Sequence, residues 1–332
     1  MQISKVLIPT DFSENSKKAL QAVKIFIDLF DCKADLIHVV PLSTYLSDSV
    51  SKLGLPLDMN SDIYPKIAEE AKSKLAAFSN EFLDPGSVGN LIVEIDRKAS
   101  NSIVNHAKEG GYDMIIMSAK GAHSTDSLHG STTEKVVRNS SVPVLALSNE
   151  FHYDKIKTIL VPTDISDFSF EVVPVAFEMA NRFNASLNFL NIVELYNSGI
   201  EMKPVEAPDT TNHINSFNKE YLYSGLMDRL EDFFKENSQN QFSIKRHEEP
   251  FLDEIIKTSG TKSISIQVRT VIKKGMVAHK DIIDYANDHA DMVIMSTHGR
   301  TGLSRFFLGS TAEKITKNLE APLLTLKPEP KE

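Results

Sequence analysis

The chain has 332 residues, 41% of them hydrophobic and 24% charged, a globular balance long enough for two domains that each bury a core. A formal charge of -9 and a pI near 5.6 argue against a general nucleic-acid or acidic-membrane binder and for an acidic, soluble surface. One cysteine, Cys32, excludes an internal disulfide framework and a cysteine zinc site; the 10 histidines show no metal-ligand spacing, and no stretch reaches the ~18 apolar residues of a membrane helix.

The opening MQISKVLIPTDF has no basic region leading into an apolar run, so the expected location is a reducing cytoplasm. Residues 5–11, KVLIPTD, predict a short buried strand ending in a turn. A helix follows, with Ser13 as N-cap and Ala19, Ala22, Val23, Ile25, Phe26 and Leu29 along one stripe. DLIHVV at 35–40 is a second strand, SIVNHAKEGGYD at 102–113 a helix, and DMIIMS at 113–118 another strand. TTEKVVRNSS at 132–141 is a helix and VPVLAL at 142–147 the closing strand. The strand runs are nearly continuous in apolar residues, as expected of strands buried on both faces.

After a polar link at 148–156 the order repeats. TILVPTD at 158–164 matches 5–11, DMVIMS at 291–296 matches 113–118, GSTAEK at 309–314 matches GSTTEK at 130–135, and APLLTL at 321–326 matches 142–147. Strands alternating with helices, twice over, predict an α/β protein of two tandem doubly wound, Rossmann-like domains. Each is expected to carry a mainly parallel five-stranded sheet between helices. The domains are expected at 1–148 and 156–328. Pro174, inside the first helix of the second copy, predicts a kink.

The second copy is about 25 residues longer between its first two matched blocks, and the least repetitive region is 195–262. Within it YLYSGLMDRLEDFFKEN reads as an amphipathic helix, while EAPDTTNHINS and NSQNQFSIKRHEEP read as loop. Residues 205–218 and 236–250 are expected to be the more mobile parts. The insert reads either as a decorated surface loop or as a lid or partner-binding arm.

Two motifs carry chemistry. The first is Pro9-Thr10-Asp11 and its copy Pro162, Thr163, Asp164, placed just after strand one, where open α/β sheets bind ligands. The Asp can accept from a ribose hydroxyl or approach a metal through water; equally, it or the following Ser can simply cap a helix. The second follows the strand that ends Met295-Ser296. It runs through Gly299, Arg300, Gly302, Gly309, Ser310 and Thr311 into a helix. Glycines allow close backbone approach to a phosphate, the helix N-terminus offers free N–H groups, the hydroxyls donate and Arg300 adds charge. The competing reading is a glycine-containing turn with a capped helix.

On these residues the whole chain resembles a tandem member of the universal stress protein family. Members that bind ATP carry G-x2-G-x9-G-[S/T]; here the second copy reads Ser296-x2-Gly299-x9-Gly309-Ser310, with Ser in the first glycine's place. The resemblance implies an adenine nucleotide (ATP, ADP or AMP), with Mg2+ on its phosphates. Asp164 would lie near the ribose, and Ile192 and Val193 near the adenine. In the first copy the segment Ser118-x2-Gly121-x8-Gly130-Ser131 is one residue short, Ala122 stands where Arg300 does, and Asp126 would repel a polyphosphate. One nucleotide per chain is therefore expected. Family dimers pair through their last strands, which implies an intramolecular pseudo-dimer joining Pro143–Leu147 to Pro322–Leu326.

The leading reading is a stress-response regulator that binds nucleotide in its C-terminal copy, with protein partners of unknown kind and a further homodimer possible in principle. The rivals are a nucleotide-independent interaction scaffold and a slow ATPase or autophosphorylating protein. No Ser/His/Asp set or carboxylate pair is assignable as catalytic, so an enzyme is the less favoured reading. His298 abuts the proposed loop and reads either as a group acting on phosphate or as a partly exposed loop residue.

Overall fold

The computed structural model describes residues 3–42, 63–120, 131–194, 218–237, 241–299 and 309–328. Strand β1 (Lys5–Pro9) leads into α1 (Glu14–Phe30), then β2 (Lys33–Pro41), α2 (Tyr64–Phe82), β3 (Val88–Asp96), α3 (Ala99–Glu109), β4 (Met114–Ser118), α4 (Ser131–Asn139) and β5 (Val144–Leu147). All strand pairs in this half are parallel, in the order β3-β2-β1-β4-β5. Ser13 caps α1, its hydroxyl accepting from the Ser16 amide at 3.2 Å. Ala19, Ala22, Val23 and Phe26 are buried as the stripe predicts, together with Leu20, while Ile25 and Leu29 are half-buried.

The second half repeats this with β6 (Thr158–Pro162), α5 (Asp167–Phe170), α6 (Val173–Phe183), β7 (Ser186–Glu194), α7 (Lys219–Glu236), β8 (Phe242–Arg246), β9 (Leu252–Ser259), β10 (Lys262–Gly275), α8 (Ala278–His289), β11 (Met292–Ser296), α9 (Ser310–Asn318) and β12 (Leu323–Leu326). The expected kink at Pro174 is a full break. Helix α5 stops after Phe170, and α6 restarts with Pro174 in its first turn, where a missing N–H costs nothing.

The insert is not all loop beyond its helix. Residues 242–246, read from sequence as loop, form β8, which pairs antiparallel with β9, and β9 pairs antiparallel with β10. The second half thus keeps five parallel strands and adds a two-stranded antiparallel wing. The reason is hydrophobic: Phe242 is buried against Phe234, with ring centroids 5.4 Å apart, and against Phe177 at 5.3 Å. Polar flanks hid one anchoring aromatic. Residues 205–217 and 238–240, which carry most of the mobility expectation, lie outside the described residues.

The halves join through their last strands. β5 and β12 pair antiparallel, Ala146 opposite Leu323, Leu145 opposite Leu324 and Val144 opposite Thr325, which makes one continuous 12-stranded sheet. Each face of that sheet carries a buried apolar layer spanning both halves. One layer includes Val6, Ile8, Leu145, Ile159 and Leu324, and the other Leu7, Ile115, Val144, Leu160 and Leu323. Alternation along each strand sends neighbours to opposite layers. The Asp of each DM(I/V)IMS block pins the start of its half's first strand. Asp113 accepts from the Ser4 and Lys5 amides, and Asp291 from the Lys157 and Thr158 amides.

Candidate functional site

In the second half β6 lies between β7 and β11, so the chain leaves it in both directions and a crevice opens at the C-terminal ends of these parallel strands. Pro162 is buried at the end of β6 and Thr163 is buried after it. The turn that follows is strained. Ile165 has φ 66°, a left-handed conformation disfavoured for a β-branched residue, and Phe12 occupies the same place in the first half with φ 62°. Side chains hold the turn: the Thr163 hydroxyl accepts from the Ile165 amide at 3.0 Å and also bonds Ser169 Oγ at 2.7 Å. Asp164 Oδ1 accepts from the Ser166 amide at 3.1 Å and from its hydroxyl at 2.5 Å. The capping reading of this Asp is therefore satisfied by one oxygen.

The other oxygen, Oδ2, faces Gly299 so closely that a Cβ there would lie 2.6 Å from it. Only glycine fits while the carboxylate keeps this position. Ser296 is buried at the end of β11, and its hydroxyl accepts from the His298 amide at 3.1 Å, closing the turn out of the strand. Met295 is buried in the second apolar layer. His298 Nδ1 lies 2.9 Å from the Thr297 hydroxyl.

Gly309 returns the chain to the same place, its amide donating to the Thr297 carbonyl at 3.0 Å. It is the N-cap of α9, and among the described residues no side chain caps that helix. Ser310 and Thr311 form its first turn, where backbone N–H groups have no intrahelical acceptor. Arg300 and Gly302, part of the same proposed loop, lie outside the described residues, as do Gly121, Ala122, Asp126 and Gly130 of the first half.

Ile192 and Val193 are half-buried at the end of β7, where Glu194 pairs with Gly275. Three residues here, Gly275, Met276 and Val277, were missed from sequence, as was the side-chain role of Asn191, which belongs to the same strand-end segment as Ile192 and Val193. Asn191, buried, donates from Nδ2 to the Thr163 carbonyl at 2.9 Å and ties β7 to the strained turn. Gly275 passes so close to Ile192 that a Cβ would lie 2.6 Å from its Cγ2. Met276 and Val277, 57% and 41% exposed, stand on a loop fixed by two carboxylates: Asp281 accepts from the Val277 amide and Glu194 from the Ala278 amide. Exposed apolar side chains on a pinned loop suit a flat apolar ligand face. The signal available in sequence was the glycine closing a strand, in KKGMV. Burial first, then the nearby Lys314 ammonium, lower the pKa of His279 beside this loop and favour its neutral form.

The described residues include no group of three or more His, Cys, Asp or Glu side chains that could hold a metal, and no helix long and apolar enough to cross a membrane.

The sequence profile of the universal stress protein family matches residues 2–148 and again 155–327. An archaeal universal stress protein of Methanocaldococcus jannaschii is 31% identical over 155 residues, 44% of this chain and 95% of its own length. A universal stress protein E homolog of Haemophilus influenzae is 20% identical over 343 residues, covering 100% of both chains. Among solved structures, a universal stress protein of Archaeoglobus fulgidus superposes with a TM-score of 0.60 at 18% identity, covering 99% of this chain and 97% of that one; at this identity the likeness concerns the fold.

Proposed function

The chain belongs to the universal stress protein family, and from that premise we propose that it is a stress-response regulatory protein that binds ATP or another adenine nucleotide in its C-terminal half. The observation that carries this reading is the meeting of Asp164 with Gly299 beside the uncapped start of α9. A carboxylate that accepts from a ribose hydroxyl and a helix N-terminus that receives phosphates stand on one crevice.

In this assignment Asp164 accepts from the ribose through Oδ2, the oxygen that faces Gly299, while Oδ1 holds the turn through Ser166. Ile192 and Val193, with Met276 and Val277 opposite, flank the adenine. The Ser310 and Thr311 amides and hydroxyls receive the phosphates, Gly299 and Gly309 give them room, and Arg300 and Gly302 complete the loop. Pro162, Thr163, Met295 and Ser296 frame the site from the strand ends. A Mg2+ would arrive on the phosphates rather than in a protein-built cage. The domains would be 1–148 and 156–328, with the nucleotide biasing which partners the pair engages.

Titration calorimetry with ATP tests the reading. The expected stoichiometry is near one. Gly309→Val should weaken binding at least tenfold, since even its Cβ would lie 3.3 Å from the Thr297 carbonyl oxygen, while Gly130→Val should leave it unchanged. A stoichiometry near two, or full affinity in Gly309→Val, overturns it.

A further inference from the structure

Helices α4 and α9 start at matching positions in the two repeats and pack against each other across the pseudo-two-fold. Four side chains join them. Arg138 lies 2.8 Å from Glu134 on its own helix and 3.3 Å from Glu313 on the other. Lys317 lies 2.8 Å from Glu313 on its own helix and 3.4 Å from Glu134 on the other. Glu134 and Glu313 occupy the same place in GSTTEK and GSTAEK, so the cluster is itself pseudo-symmetric. All four are roughly two-thirds buried or more, and a shared network of this kind outweighs isolated exposed pairs.

We propose that Glu134 and Arg138, in the N-terminal half, are positioning residues for the phosphate-binding start of α9, Gly309–Thr311, in the C-terminal half. The inference rests on the nucleotide reading above and gives the first half a part in it. Glu313 sits in the first turn of α9, two residues after Thr311. Fixing its carboxylate fixes the amides beside it. A carboxylate so close to a bound phosphate would also repel it, and Arg138 with Lys317 neutralises that charge. The hydrogen bond from Lys317, and then the charges of Lys317 and Arg138, hold Glu313 below the usual carboxylate range, so it stays ionised and clasped. The far end of α9 is anchored from the first half too: the Ser148 hydroxyl donates to the Leu319 carbonyl at 3.3 Å.

The test uses the full chain with Arg138→Ala and the conservative Arg138→Lys. Hydrogen exchange without nucleotide is the first measurement. Amides in 309–319 should exchange about three- to fivefold faster in Arg138→Ala and recover in Arg138→Lys, with residues 3–9 and 88–96 unchanged. The second is calorimetry: ATP should bind about three- to tenfold more weakly to Arg138→Ala, with the loss reduced in Arg138→Lys. Unchanged exchange in 309–319, or faster exchange spread evenly over the chain, overturns the inference. If the wild-type chain binds no ATP, the nucleotide reading falls, while the exchange measurement still decides whether the clasp positions α9.

Discussion

At the end of the third parallel strand the two halves diverge. Asp96 pairs with Pro41 in the first half, and Gly275 pairs with Glu194 in the second. Asp96 accepts from the Lys98 amide at 3.0 Å and the Ser102 hydroxyl at 2.9 Å, and these bonds, the Lys98 amide first, lower its pKa and keep it charged. Gly275 instead leaves its space to Ile192 and to Asp281, which holds the exposed Met276–Val277 loop. The first crevice has the same strained turn, with Phe12 for Ile165, yet places a fixed negative charge at its mouth. The lesson is that the scaffold repeats faithfully while the chemistry at its rim changes through single positions. The second rim puts glycine at the strand end and spends its own carboxylates, Glu194 and Asp281, on the backbone amides of the loop that follows.

The largest expected effect is to erase that difference. Gly275→Asp should reduce ATP affinity at least 100-fold, about 2.7 kcal/mol or more, because the new side chain must displace Ile192 and meet Asp281. Calorimetry checks the affinity, and a melting temperature within a few degrees of wild type shows that the fold survives. Affinity within threefold of wild type would mean the strand-three rim does not set the contrast.

A second contrast lies at the sheet's outer strands, each of which guards a buried carboxylate. Burial alone would raise Asp35, but the Tyr112 hydroxyl at 2.7 Å, the Asn90 backbone and side-chain amides and the Lys5 ammonium outweigh it and hold it low. At Asp253 burial wins over the Tyr223 hydroxyl and Arg246, and the pKa rises. The signs oppose. Asp35 adds stability above its unfolded pKa of about 4, and this is lost as pH falls through its lower folded value. Asp253 favours the native state when protonated, and that advantage is lost as pH rises through its folded value. Asp35→Asn should cost about 2–4 kcal/mol at pH 7, shrinking by pH 3. Asp253→Asn should change stability by less than about 1 kcal/mol at pH 7, with the wild type gaining on it as pH falls. Urea unfolding at both pH values measures the pair, and parallel pH trends would refute the assignment.

A smaller effect is expected at Gly299. Replacement by Ala puts a Cβ against Asp164 Oδ2 and should weaken ATP binding about tenfold, because the ribose loses its acceptor while the phosphates keep their donors. The diagnostic comparison is with inorganic triphosphate, whose binding should fall by less than that of ATP, since it loses room beside Gly299 but no ribose contact. An equal loss for both ligands would move Asp164 away from the ribose.

The repeat, the parallel core and the α1 stripe were legible because each rests on local pattern: short apolar runs, helical periodicity and four matched blocks; the seam between the last strands was expected from the family resemblance, not from pattern. The wing was not. β8 is short and polar-flanked, and its place depends on Phe242 finding Phe234 on the helix just before it and Phe177 on a helix far earlier in sequence. At the site, the PTD turn and the Gly309–Thr311 start of α9 were visible as motifs, and their approach to one crevice follows from strand order. The Asp164–Gly299 fit, the Asn191 tie and the Met276–Val277 loop were not visible, since each is set by the spacing between chain segments rather than by residue order.

The seam between β5 and β12 also shapes how the chain is made. β5 is complete when residue 147 leaves the ribosome, but β12 ends at residue 326. At ordinary synthesis rates of ~5–20 residues per second the first half waits roughly 10–40 s with an apolar strand edge open. During that interval its natural partner is a β5 edge on another nascent chain, which offers the same antiparallel pairing. Neighbouring ribosomes on one message therefore hold the components of a mispaired dimer, and the yield of correctly closed chains depends on how fast the second half arrives.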